Sequence, residues 1–506
     1  MAQLVKEVDA VVSRTASRNA SYVQTVLATY IPAWLAQRTA ALEIDPYLRG
    51  ETPFSLIGNH QQGTAEKEKL KALATTPYVR TILQSSTQAL NITGFRVDGG
   101  NDDEEVPEIY RKFWLGNRME ARQNGIWRPS IGFGASYTVV LPGPRGLSGK
   151  EEIVTTNLSP KTMTAFFAEP QDEWPVVALN GVPQVDQDGQ VYFMFTVYDD
   201  EAVHFAVVRD LVMGQGEDLK ITYLESRPHS VPVCPVVYHT PLVDDDGGSR
   251  GEMAPILPII WRLDQSVYDR LLIQRQAAWK TRAISGVEIP KGSNAGAIEA
   301  QMRAGDLLTS SKSDAKFTTL DASSMLEHVE TRTSDLKDLA TASQTPAYMI
   351  TGESTNIQAE GLAAITSGYN QKLDQYKRSL GVSVRQILQL AAYQDSSLGS
   401  PDADFEVRWA DPRPYSLTQV ADALGKLSQQ LQIDPSLLYE QIPFFSDNDR
   451  SKAIEKMQEA KDEALAMAQA DAAAAKAAGG AQGGSEGQAQ RKREAGTAKD
   501  SNQNSR

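Results

Sequence analysis

The sequence predicts an α+β chain, and three observations carry that expectation. Short alternating apolar runs broken by Gly, Pro, Asn and Asp fill residues 131–240. Helical periodicity precedes that stretch and dominates everything after residue 250. One apolar series, from Leu362 to Ala391, steps by three or four without a miss, the mark of a long amphipathic helix. A chain of 506 residues is too long for one simple core.

Residues 1–40 are loosely helical (Leu4, Val8, Val11, Tyr22, Val26, Tyr30, Trp34), and Asp45-Pro46 to Gly63 reads as turn-rich. From 64 to 93 the pattern gives a helix in two pieces, the second opened by Thr76-Pro77 as N-cap and first-turn proline. An acidic run, Asn101 to Glu105, precedes a short helix ending near Gln123. Within the β region, Val182 to Tyr192 reads as a hairpin with Asp188-Gly189 at its turn. Cys234, the single cysteine, sits in a segment (231–238) that reads as a buried strand, so the chain has no disulfide framework.

After Gly248 a helix is expected from about Pro258 to Arg282, then a Gly-rich, weakly structured insert at 285–323. Ser324-Met-Leu-Glu327 resembles a capping box opening a helix through Ala342, and Tyr348 to Gln358 reads as a loop around Gly352. The long series Leu362, Ile365, Tyr369, Leu373, Tyr376, Leu380, Val384, Ile387 and Ala391 predicts a helix ~50 Å long. A strand at Phe405–Trp409 follows. Smaller helices start near Ser416, Asp434-Pro435 and Ser446, and Gly479 to Arg506 has the composition of a disordered tail.

Composition narrows the function. The net charge of −14 argues against a tight nucleic-acid binder, whose affinity would come from clustered Lys and Arg. From 165 to 250 there are fifteen Asp and Glu against four Lys and Arg, a balance of −11, whereas 256–284 carries five basic and two acidic residues, a balance of +3. No signal pattern and no apolar run near ~20 residues is present, which predicts a protein without an anchor in a cytosol-like compartment.

Tests for chemistry return no catalytic residues, no metal ligands and no cofactor motif. Gly143 to Lys150 looks like a phosphate loop, but its spacing is one residue too long and Glu151 stands where Ser or Thr is needed. Asp186-Gln-Asp-Gly189 and Asp244-Asp-Asp-Gly247 echo calcium loops but have Phe195 and Met253 where the bidentate Glu belongs. His60, His204, His229, His239 and His328 form no zinc pattern, and no triad is assigned. Arg491-Lys-Arg493 is a compact basic cluster in the tail.

The order of elements, over about residues 65 to 410, resembles the portal proteins of long-tailed, siphophage-type double-stranded DNA bacteriophages. The likeness rests on Pro77-Tyr-Val-Arg-Thr-Ile-Leu-Gln84 followed by Leu90-Asn-Ile-Thr-Gly-Phe-Arg96, and on Phe113 to Gln123 with Gly132 to Tyr137. Leu158-Ser-Pro160, Thr345-Pro346, the Gly352 loop and the long helix complete it. The resemblance implies a portal-type fold with an α/β wing (1–250), a stem helix (251–284), a small clip (285–323) and a second stem helix (324–345). A tunnel loop (346–357), the long wing helix and strand (358–410), helical crown (411–478) and disordered tail (479–506) would follow. It implies a non-enzymatic dodecameric ring at one capsid vertex, assembled in the host cytoplasm, through which double-stranded DNA passes. It further implies a DNA-facing set of Tyr348, Met349, Ile350, Thr351, Gly352, Glu353, Ser354, Thr355 and Asn356. Clip contacts at Glu288, Lys291, Arg303, Asp306, Lys312 and Lys316 would meet the terminase large subunit and the head–tail adaptor, with major capsid and scaffolding proteins on the wing and no membrane. The rival readings are another virion protein, such as a coat or adaptor subunit, and a hydrolytic enzyme.

Packing points the same way. The helix at 256–284 carries apolar residues on more than one side (Ile256/Leu257, Tyr268/Leu272/Trp279), so neighbouring copies are expected to cover its second face.

Overall fold

A computed structural model describes residues 2–51, 53, 65–97, 109–145, 150–209, 211, 219–243, 251–278, 282–285, 316–319, 326–352, 359–411, 417–431, 433, 438, 442 and 452–470. Helix and sheet are mixed throughout, as an α+β chain requires. The described residues fall into two compact units, one running to Ala410 and one starting at Asp411.

The first unit opens with α1 (Ala2–Arg49), which runs straight through Pro32 and Pro46. The turn expected at Asp45-Pro46 is therefore part of a helix. Each proline removes one ladder bond, but burial on both sides of each break keeps the helix continuous: Leu27, Ile31 and Trp34 on one stretch, Tyr47 and Leu48 on the next. The helix ends at Gly50, whose φ of +79° is easy only for glycine; Gly50 N–H donates to Tyr47 O and Glu51 N–H to Pro46 O.

Two helices follow as expected, α2 (Ala65–Ala74) and α3 (Tyr78–Gln88). Thr76 does not cap α3: the N-cap position is Pro77, without a side-chain bond, and the Thr76 hydroxyl donates to Asp264 instead. Strand β1 (Ile92–Val97) pairs antiparallel with β12 (Phe405–Trp409), more than 300 residues away. A π-helical turn (Ile109–Leu115) leads to α4 (Met119–Arg122) and α5 (Asn124–Phe133). The β region thus starts at Ser136 and not at 131, because α5 continues through Pro129 to a glycine stop at Gly134, φ +97°.

Strands β2 (Ser136–Arg145), β3 (Lys150–Leu158) and β9 (Val236–His239) form a sheet in the order β3-β2-β9. Strands β4 (Met163–Phe166), β5 (Val177–Val185), β6 (Val191–Tyr198), β7 (Ala202–Arg209) and β8 (Lys220–Pro228) form a five-stranded antiparallel meander. One face of the meander receives Val23, Leu27, Ile31 and Trp34 of α1. Ala178, Tyr198 and Val203 pack with Tyr137, Val139, Cys234 and Val236 around the smaller sheet. The β5–β6 hairpin turns where the Asp-Gly pair places it: Val185 faces Val191, and Gly189 has φ +77°. Cys234 is buried as expected, but the strand covers only 236–239; Val231 to Pro235 is irregular.

Helix α6 (Leu257–Ala278) begins after a short turn at Ala254–Ile256 and does not reach Arg282, since Arg282–Ser285 is strand β10, paired antiparallel with β11 (Lys316–Thr319). The insert expected to be weakly structured is thus closed at its base by a two-stranded ladder. Then come α7 (Leu326–Ala342), α8 (Ala347–Thr351) and the long α9 (Ala359–Gln394). The capping residue Ser324 lies outside the described residues. Ile365 of α9 is half exposed, while the rest of the predicted stripe from Tyr369 to Ala391 is buried.

Within the chain α6 is covered further than its own pattern shows: Ile256 and Leu257 are buried in the main core, and Val267 and Tyr268 pack with Ala74 of α2, with Leu70 and the partly buried Leu271 and Leu272 around them. An α2 that the amphipathic pattern did not assign to α6 supplies the cover. Trp279 lies outside the described residues. In the second unit, α10 (Leu417–Leu431) is the helix expected from near Ser416, and residues 452–470 are helical. Of the expected helix at Asp434-Pro435 only Leu438, helical and buried, is among the described residues, and the tail falls outside them.

Candidate functional site

The helices α6 and α7 pack together, and charge pins their register. Arg262 of α6 bonds Asp335 through Nε and Asp338 through a terminal nitrogen, both at 2.7 Å, and Ser266 Oγ lies 3.4 Å from Asp335. Asp335 is buried while Arg262 is half exposed, so the pairing fixes alignment more than it adds stability.

α7 ends in a tight cap. Thr345 N–H donates to Ala340 O and Gln344 N–H to Thr341 O, with Gln344 in the left-handed region at φ +49°. Pro346 then starts α8, which closes on Gly352 at φ +72° with its N–H on Tyr348 O. The stretch from Tyr348, read from sequence as a loop, is therefore a helical turn as far as Thr351. Ile350 caused the change: it is buried in the main core, and Met349 packs partly beside it. Thr351 and Gly352 are exposed, and Tyr348 is half-buried, which raises its phenol pKa.

Behind this turn stands a buried cation that sequence reasoning missed. Lys372 of α9, 6% exposed, donates to Ser343 O at 2.7 Å and pairs with Glu252 Oε1. Its ammonium lies 5.5 Å from the Tyr369 ring and 5.9 Å from Tyr376. Burial and the Glu252 charge together push the Tyr376 phenol well above its usual range. The readable signal was positional: Lys372 falls on the apolar face, three residues after Tyr369 and four before Tyr376.

The motifs tested for chemistry resolve into structure. Arg145 pairs with Lys150 across β2 and β3, so the would-be phosphate loop is a hairpin and opens no helix. Asp186 spends its carboxylate on the N–H groups of Asp188 and Gln190. Asp244–Asp246 lies outside the described residues. His229 faces Asp199 O, and His239 is buried between Ser383 (2.7 Å) and Thr138 (2.8 Å), its pKa lowered by burial to about 3. Sequence reasoning also missed the Asp199–His204–Ser226–Tyr223 chain, with links of 2.7, 2.5 and 2.7 Å. Asp199 also accepts from Glu201 and Ala202 N–H, which ties the chain to the β6–β7 turn. Its carboxyl sits below the usual range: burial opposes this, and the bonds from His204, Ala202 and Glu201 outweigh it. Among the described residues no group of His, Cys, Asp or Glu could hold a metal ion, and no described helix is long and apolar enough to cross a membrane.

The model of one family, described as phage portal protein, SPP1 Gp6-like, matches residues 27–466. The chain belongs to that family. No curated protein matches it. As a phage portal protein the chain is a structural component of the virion that serves DNA packaging. The match covers both units of the portal chain, from α1 to the helix at 452–470. Of the expected DNA-facing residues, the portal chain exposes Thr351 and Gly352 and buries Ile350; Glu353, Ser354, Thr355 and Asn356 lie outside the described residues. Of the expected clip contacts, Lys316 opens β11, its backbone paired with Ser285; Glu288, Lys291, Arg303, Asp306 and Lys312 lie outside.

Proposed function

We propose that copies of this chain close into a ring, dodecameric in the virion, at one capsid vertex, and that double-stranded DNA enters and leaves through its channel. The observation that carries the reading is the portal-family match over residues 27–466. In this reading 1–250 form the wing, α6 and α7 the stem, 285–323 the clip, 346–357 the tunnel segment, α9 with β12 the wing's long helix and strand, and 411–478 the crown. The clip takes the terminase large subunit and later the head–tail adaptor, and the wing takes major capsid and scaffolding proteins. Assembly takes place in the host cytoplasm.

The charge pattern supports passage without grip. Each phosphate neutralised by Lys or Arg releases counterions and adds affinity, so a uniformly basic lining would act as a brake. The chain instead carries −14 overall, with −11 in residues 165–250 and a local +3 in 256–284. Repulsion from such a ring is soft, screened beyond ~10 Å in ordinary salt.

Electron microscopy of the purified protein tests the reading. Annuli with a central hole wide enough for a duplex are expected. A lone monomer at every concentration overturns it.

A further inference from the structure

The helical excursion that the portal reading takes as the stem begins after Glu252 and ends before Ser343, its first and last turns still packed in the main core, and the Lys372 side chain touches both ends. Glu252 is itself fixed: its N–H donates to Ile131 O at 3.0 Å, and neighbouring Gly251 lies so close to Gly132 O and Phe133 that a Cβ would collide with their backbone. Ser343 sits in the cap of α7, immediately before the left-handed Gln344 and the buried Thr345 and Pro346. Between them the Lys372 ammonium pairs with Glu252 and bonds the Ser343 carbonyl, while Tyr369 and Tyr376 of the same helix face it with their rings.

From this geometry we infer that Lys372 is a positioning residue: it staples both ends of the stem excursion to the long helix and thereby sets where α8 and Gly352 stand. A carbonyl and a carboxylate can share one ammonium only if the two ends keep a fixed separation. Any displacement of one stem helix therefore reaches the turn at 343–352 through the same nitrogen. Without the ammonium, Glu252 becomes a lone, largely buried charge whose Oε2 has no hydrogen-bond partner among the described residues. The staple needs nothing beyond the fold; its bearing on DNA passage rests on the portal reading.

Hydrogen exchange on the purified full-length protein tests the staple. Lys372→Met keeps length and removes charge. It is expected to raise amide exchange in 341–352 by about tenfold or more while 177–209 stays protected as before. The double variant Glu252→Gln/Lys372→Met is expected to recover part of that protection, because no lone carboxylate remains. Unchanged exchange in 341–352, or an equal rise across the β5–β7 sheet, overturns the proposal. Should Lys372→Met not fold, Glu252→Gln, which retains the Ser343 bond, is read by the same two criteria at 251–256 and 341–345. A packaging assay then reads the functional arm: rings of Lys372→Met are expected to fill capsids less well than the parent. Normal filling despite raised exchange removes the positioning role from packaging. Absence of rings in the parent protein sinks the portal reading and leaves the exchange result standing.

Discussion

Asp264 of α6 accepts two hydrogen bonds from Thr76, from its N–H at 3.0 Å and its hydroxyl at 2.7 Å. The carboxylate is buried and its second oxygen has no protein partner among the described residues, so burial pushes its pKa up to about 6, against the pull of the Thr76 bonds. The folded state then holds a proton that the unfolded chain releases near 3.8, and stability falls as pH rises between those values. Asp264→Asn keeps an acceptor for Thr76 and removes the buried charge. Chemical denaturation at pH 7.5 should show a gain of about 1–3 kcal/mol. Asp264→Ala, which removes the acceptor of both Thr76 bonds, should instead lose about 1–3 kcal/mol. A less stable Asn variant would contradict the argument.

His239 works in the opposite direction. It is buried and neutral between Thr138 and Ser383, and its pKa is lowered to about 3 from an ordinary 6.5. Below 6.5 the unfolded state binds a proton that the folded state refuses. Its contribution is therefore whole above that pH and shrinks as pH falls toward 3, by up to about 1.4 kcal/mol per unit. His239→Gln should be less stable at pH 7.5 but lose less on going to pH 5. Parallel pH profiles for parent and variant would refute this.

Gly251 and Gly181 are both too crowded for a methyl group. At Gly181 a Cβ would stand 2.5 Å from the Trp34 ring and 2.7 Å from Phe195. Side chains can shift, so Gly181→Ala should cost about 1–3 kcal/mol in thermal unfolding. Gly251→Ala meets backbone that cannot move aside, and should cost more. An inverted order would show that the backbone at Gly251 is looser than it looks.

Because Ile350 is buried and Gly352 ends α8, deleting from Tyr348 onward would damage the core as well as any channel surface. Replacing residues 353–356 by a glycine–serine tetrapeptide avoids this. Rings should still form, and DNA filling of capsids should fall sharply. Normal filling would remove these four residues from the channel.

Truncation after Ala478 should leave ring formation intact in size-exclusion and microscopy, since the Gly, Gln and Ser composition beyond it cannot build a core. A truncated protein that stays monomeric would make the tail an assembly element.

Periodicity and turn chemistry made the β5–β6 hairpin, α9 and β12 readable, because each is specified by residues close in sequence. The long reach of α1 was hidden, since Pro46 reads locally as a stop and only tertiary contacts overrule it. Asp45 adjacent to it is held by Lys161, 116 residues away. The β1–β12 pairing and the covering of α6 by α2 likewise depend on partners that no local window contains. At the candidate site, Gly352 was visible as a turn residue, whereas α8 depends on where Ile350 can be buried. Nothing in the residues next to Lys372 marks it as buried; only its place between Tyr369 and Tyr376 on the apolar face distinguishes it.

The ladder joining Arg282–Ser285 to Lys316–Thr319 means that residues 286–315 depart from and return to neighbouring points. Closing a longer loop across such a base costs only about 0.6 kcal/mol for each doubling of its length. The scaffold is thus nearly indifferent to what is spliced in there. Evolution, or an engineer, can lengthen or exchange the residues between the two strands while the pairing at their base stays as it is.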